Sequence, residues 1–201
     1  IAVAAATTTG NVDFNLLASG RIAGRVTDPS GAPISNVRVW LYDTASRLVA
    51  TGMANAAGYY TTDEGVAPGT YYAASFNRYG YQDELYRNLP CSMFFTVGGL
   101  CDPTSGTPIS VAPGATTSGI DFQLNWGGRI SGRITDAQSG APIVGAQITF
   151  YNASGRDANN ATTDASGSYT TRAGLPGGTY YVLAWSAPGY LPRLYDGGTC
   201  P

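Results

Sequence analysis

Gly20-Arg21-Ile22-Ala23-Gly24-Arg25-Val26-Thr27-Asp28 returns as Gly128-Arg129-Ile130-Ser131-Gly132-Arg133-Ile134-Thr135-Asp136. The offset is 108 residues here and 109 after Gln138, where the turn gains one residue. A period of about 100 residues is a whole domain, not one turn of a solenoid, and each unit is long enough to bury its own core. The units are written out of phase. Ile1 to Leu17 match Ile109 to Asn125, which lie at the end of a unit. The expected division is therefore 1–17, a closing strand of a preceding repeat or a donor strand; 18–126, a first β-sandwich; and 127–201, a second β-sandwich lacking its last strand.

Arg21 to Thr27 alternates, with Ile22, Gly24 and Val26 on one side, which is the signature of a half-buried strand. Asp28-Pro29-Ser30-Gly31 follows as turn chemistry. Val37 to Tyr42 alternates again, with Val39 and Leu41 towards the core and Ile148 and Phe150 in their places in the second unit. The first unit ends on Ile120, Phe122 and Leu124, and residues 1–17 carry Val12, Phe14 and Leu16 at the same positions. Only Trp126-Gly127-Gly128 separates that closing strand from the next unit, so the modules are expected to be rigidly linked.

With 27 Gly and 12 Pro, the chain places turn clusters at the spacing of an all-β sandwich. No stretch keeps a helical period, and no apolar run of about 18 residues occurs, so membrane insertion is not expected. A net charge of −2 gives no electrostatic footprint for nucleic acid. All 11 basic residues are Arg, which removes His bases, His metal ligands and Lys Schiff bases. No cofactor is expected. Asp63 and Glu64, adjacent in sequence, would point to opposite faces of a strand, unlike a glycosidase pair.

Aligning Tyr86 with Tyr195 sets Cys91 opposite Cys200. Cys91 and Cys101 read as a disulfide closing a short loop, with free thiols as the alternative, and Cys200 as the orphaned half of an equivalent bridge.

Several motifs together resemble the carboxypeptidase regulatory-like domain. They are Ile134-Thr135-Asp136, Gly140-Ala141-Pro142, Asp164-Ala165-Ser166-Gly167-Ser168-Tyr169, Leu175-Pro176-Gly177-Gly178-Thr179-Tyr180 and Ala187-Pro188-Gly189-Tyr190. The first unit departs at Met53-Ala54-Asn55 and at Val66-Ala67-Pro68-Gly69. The resemblance implies tandem seven-stranded Greek-key β-sandwiches, transthyretin-like or immunoglobulin-like, in a secreted or surface module without catalytic residues. It also implies that Tyr71 and Tyr180 point inward.

Trp40, Tyr42, Tyr72 and Phe76, with Tyr181 and Trp185 in the second unit, are then expected as an outward aromatic patch for a protein or sugar partner. Ordinary cross-strand pairing is the alternative. Asn152 and Asn160 head glycosylation sequons, a pattern that chance also produces. Asp164 could suggest a calcium loop, but its turn has too few carboxylates and an Asx turn suffices.

These readings point to a non-enzymatic, extracellular or cell-surface stalk, adhesin or filament subunit. Its expected partners are copies of itself, joined head-to-tail by residues 1–17; the alternative is one window of a longer covalent array. A carbohydrate-binding accessory module of a secreted hydrolase, with glycan partners, is the second class.

Overall fold

The computed structural model describes residues 1–91, 101–185 and 187–197. Strands form where the sequence alternates. In the first repeat they are β1 (Arg21–Thr27), β2 (Arg38–Tyr42), β3 (Leu48–Met53), β4 (Tyr59–Thr61), β5 (Gly69–Phe76), β6 (Glu84–Leu85), β7 (Leu89–Pro90), β8 (Ile109–Val111), β9 (Thr116–Thr117) and β10 (Phe122–Gln123). The second repeat carries β11 (Ser131–Arg133), β12 (Gln147–Asn152), β13 (Asp157–Thr162), β14 (Ser168–Thr170), β15 (Tyr180–Trp185) and β16 (Arg193–Leu194). The protein is all-β.

Turns are set by Asp and Asn. Asp28 Oδ1 accepts from the amides of Ser30 and Ala32, both at 2.9 Å, and replaces a backbone acceptor. Asn55 and Asn152 do the same two and four residues ahead. Asp164 also does so, taking Ser166 N, Ser166 Oγ and Ser168 N on one oxygen, an Asx turn.

In the first repeat, β10-β1-β4 form one sheet, with β9 also on β1; β3-β2-β5-β6-β7 form the other, with β8 on β5. Ile22, Val26, Val39, Leu41, Phe122 and Leu124 fill the space between them. The closing segment changes sheet on the way: β8 pairs antiparallel with β5, whereas β9 and β10 pair parallel with β1. Gly114 and Gly119, at φ 68° and 79°, make the two breaks that the change needs. In the second repeat β11 pairs with β14, and β13-β12-β15-β16 form the larger sheet. Its buried cluster is small: Ile148, Phe150 and Ala161, with Ile130, Ile134, Tyr169 and Val182 half-buried around it.

One expectation is corrected. Trp40 and Tyr42 do lie opposite Val39 and Leu41, but they are only 4% and 7% exposed. They form a second small core with Ala74, Leu85 and Cys91, against Phe76 and Cys101. Trp40 stacks on Phe76 at 4.6 Å between ring centroids. Alternation gave the right face, but strand periodicity does not reveal that Leu85, Cys91 and Cys101 pack against it. The matching face of the second repeat leaves Tyr181 and Trp185 exposed, and Trp185 Nε1 donates to Thr149 Oγ1 at 2.9 Å.

Candidate assembly site: a closed groove and an open one

In the first repeat the groove beside β1 is filled. β10 runs parallel to β1, with Val26 opposite Phe122. Ile120 N donates to Ala23 O at 3.1 Å, and Leu124 N to Thr27 O at 2.8 Å. Asp121 Oδ1 takes the Arg25 amide at 2.7 Å, and the buried Tyr60 hydroxyl donates to Ile120 O. Tyr86 lies edge-on to Phe122 and donates to Gly119 O at 3.3 Å. Position 24 must be Gly here, because a Cβ would run into the Ile120 carbonyl.

Among the described residues, the second repeat keeps the wall of this groove without the filling. Among the described residues β11 pairs only with β14, so its other edge is bare. A cleft of about 340 Å³ opens there, lined by Ile134, Ile143, Ala146, Ala184 and Leu194, with Arg133 and Arg193 at its sides. A second cleft of about 210 Å³, which shares Arg133, Ile134, Ala184 and Arg193, runs past Gly132, Tyr169 and Tyr195. Tyr169 matches Tyr60. Its hydroxyl makes no hydrogen bond among the described residues, and its pKa is pushed up by burial first and by Tyr195 second. Tyr195, the counterpart of Tyr86, is 81% exposed.

Residues 1–17 form no strand and are exposed throughout. Phe14 and Leu16 are 82% and 87% exposed, and Val12 is 40% exposed. The segment nevertheless bends where its counterpart bends: Ala6 and Asn11, at φ 59° and 60°, match Gly114 and Gly119. A left-handed conformation costs a non-glycine residue about 1–2 kcal/mol, so the likeness extends to backbone shape.

Of the other expected residues, Cys91 and Cys101 are joined by a disulfide, with Cα atoms 5.6 Å apart. Cys200 lies outside the described residues. Tyr72 and Phe76 are half-buried. Asn152 Oδ1 is occupied by its own turn, and Asn160 sits within β13 opposite Thr149. Asp63 and Glu64 are exposed at a shallow depression beside β3.

A buried acidic pair, Asp83 and Glu84, gave no signal in the sequence, because the second repeat has Pro192 and Arg193 at those positions. Burial pushes Asp83 well above the carboxylate range despite two hydrogen bonds from Asn77, at 2.8 and 2.7 Å. Burial likewise raises Glu84 to about 7, partly offset by the amide of Gln123. None of the clefts above reaches either carboxyl. Among the described residues, no three His, Cys, Asp or Glu side chains come close enough to hold a metal ion. No helix there is long and apolar enough to cross a membrane.

The two repeats define the class of protein. The chain belongs to the carboxypeptidase regulatory-like domain family, whose model matches residues 21–125 and 129–199. No curated protein sequence matches it. Among solved structures it is similar to the Bacillus anthracis TIE protein, at 15% identity and a TM-score of 0.34, covering 90% of this chain and 32% of that one. A streptococcal ancillary pilin is similar at 15% identity and a TM-score of 0.41, over 90% of this chain and 59% of that one. The shaft pilin SpaA from Lactobacillus rhamnosus GG is similar at 12% identity and a TM-score of 0.35, over 92% and 95%. The chain thus spans about a third of the first protein and rather more than half of the second. At such scores nothing about function carries across.

Proposed function

We propose that this is a non-enzymatic, extracellular structural protein that polymerises head-to-tail, residues 1–17 of one copy closing the second sandwich of the next. The observation that carries the reading is the pairing of two matched states in one chain. The closing sequence is seated in the first repeat, bare in residues 1–17, and missing beside β11 among the described residues. Seated as in the first repeat, Phe14 would lie opposite Ile134, and Val12 N and Leu16 N would donate to Ser131 O and Thr135 O. Asp13 Oδ1 would take the Arg133 amide, and Tyr169 would gain the Val12 carbonyl. The segment's one charge, Asp13, is negative, and the groove is flanked by Arg133 and Arg193. Strand addition at an exposed edge supplies main-chain hydrogen bonds, and alternate side chains fill the pockets. A heterologous contact of this kind grows open chains.

Sedimentation of the purified chain tests this. The mass of the 201-residue chain should rise with concentration in multiples of 20.8 kDa. Phe14→Asp should weaken association at least about a hundredfold, because it removes an apolar contact worth about 2–3 kcal/mol and buries a charge. A wild-type chain that stays monomeric at high concentration overturns the reading.

A further inference from the structure

The two repeats of one chain are joined by a specific set of contacts, and both halves of that set recur unused at the two outer ends. At the joint, Tyr81 bridges antiparallel to Trp126, their rings stacked 4.0 Å apart. Gly127 N donates to Gly80 O and Gly174 N to Tyr81 O, both at 2.9 Å. A Cβ on Gly174 would strike the Gly80 carbonyl, so the modules touch main chain to main chain.

By the repeat offsets, Gly80-Tyr81 corresponds to Gly189-Tyr190, Trp126-Gly127 to Ala18-Ser19, and Gly174 to Gly65. Both outer halves share much of this shape, although Ser19 carries a side chain where Gly127 has none. Gly189 has φ 86° against 93° at Gly80. Gly20 and Val66 exchange two 2.8 Å backbone hydrogen bonds, as Gly128 and Leu175 do at the joint. Next along the antiparallel bridge, Gln82 lies opposite Asn125, with the Gln82 amide donating to Asn125 O at 2.8 Å. This polar pair is replaced at the outer ends by Leu191 and Leu17, 91% and 87% exposed. Both members of this facing pair are apolar in place of polar, and each is exposed.

We infer that the outer ends of two copies meet through a replica of the internal joint, Leu17 of one packing on Leu191 of the next, so that every module-to-module step in the polymer is the same. This rests on the strand-donation reading, since residues 1–17 must seat first to bring the ends together. Leu17 is one residue past the core-facing Leu16, so a seated strand delivers it to Leu191 without slack. Ala18 stands where Trp126 would stack. The intermolecular joint therefore lacks that ring contact and uses the leucine pair in its place.

Disulfide trapping tests this on the full chain carrying Cys200→Ser. A Leu17→Cys protein mixed with a Leu191→Cys protein should give a mixed dimer on oxidation, because directly opposed strand residues have Cβ atoms about 4.5–5.5 Å apart. A parallel mixture of Asn15→Cys with Thr135→Cys reports strand seating alone. If both pairs trap, the replica joint holds. If the second traps and the first does not, the replica fails and strand donation stands. If neither traps, both fail. Ala18→Trp, which restores the ring facing Tyr190, should raise the association constant several-fold, and no gain counts against the joint.

Discussion

Tyr60 and Tyr169 occupy matched places on β4 and β14, yet one is buried and bonded while the other is half-buried with its hydroxyl idle. What separates them is one strand. In the first repeat that strand, β10, lies about sixty residues beyond Tyr60, and its segment carries Ile120, Phe122 and Leu124 into the core, all 5% exposed or less. The same family sequence thus makes a well-packed sandwich where the closing strand is seated and, among the described residues, a more open one where it is not. Burial in this fold depends on a long-range partner, and that is why equal sequences in the two repeats do not give equal cores.

The largest expected contrast lies in the closing strand itself. Phe122→Ala should destabilise the first repeat by about 3–5 kcal/mol, as a deleted core aromatic does. Phe14→Ala should leave the unfolding of dilute, monomeric protein unchanged while weakening association. Urea unfolding at low concentration checks both, and equal losses would break the comparison between a seated and an unseated strand.

The cysteine loop comes next. Cys91→Ser with Cys101→Ser should cost about 3 kcal/mol and shift Trp40 emission to the red, because the bridged cysteines pack in the cluster that buries Trp40. An unchanged spectrum would mean that the burial of Trp40 does not depend on the bridge. Smaller again, Tyr60→Phe should cost about 1–2 kcal/mol for a buried carbonyl left unpaired. Tyr169→Phe should cost under about 0.5 kcal/mol in the monomer, and more once the protein has associated.

The pH response should also separate the repeats. Glu84 titrates near 7 in the fold against an ordinary 4.5, so the folded state holds the proton more tightly. Its stabilising effect is complete below pH 4.5 and declines as pH rises through 7; Asp83, raised by burial, acts in the same direction. The first repeat should therefore melt at a lower temperature at pH 8 than at pH 5, by an amount worth at least about 1 kcal/mol. Glu84→Gln should flatten that difference. At the acid end the sign reverses. Asp136, held near 2 by hydrogen bonds from Ser139 first and also from Tyr190 and Gln138, adds stability above pH 3.8 that is lost as pH falls towards 2.

Most of the fold was legible because it is local. Alternation placed Val39 and Leu41 inside, and the Asp and Asn turns fell where the sequence put them. The repeat phase also marked residues 1–17 as a copy of 109–125. The fate of Trp40 was not legible, since strand period reports which face a residue is on and not what covers that face. Asp83 and Glu84 were missed for a related reason. Asn77 bonds Asp83 and β7 pairs with Glu84 in the first repeat, and Pro192 and Arg193 in the second offered no matching pair to notice. The Leu17 and Leu191 pair became visible only when the internal joint showed which residues oppose each other.

Hydrogen exchange across residues 12–16 in the associated protein tests the central claim most directly. Seated as a strand on β11, these amides should be protected to an extent approaching that of residues 120–124, and Phe14→Asp should abolish the protection. Free exchange at 12–16 in a protein that has nonetheless polymerised would contradict the account.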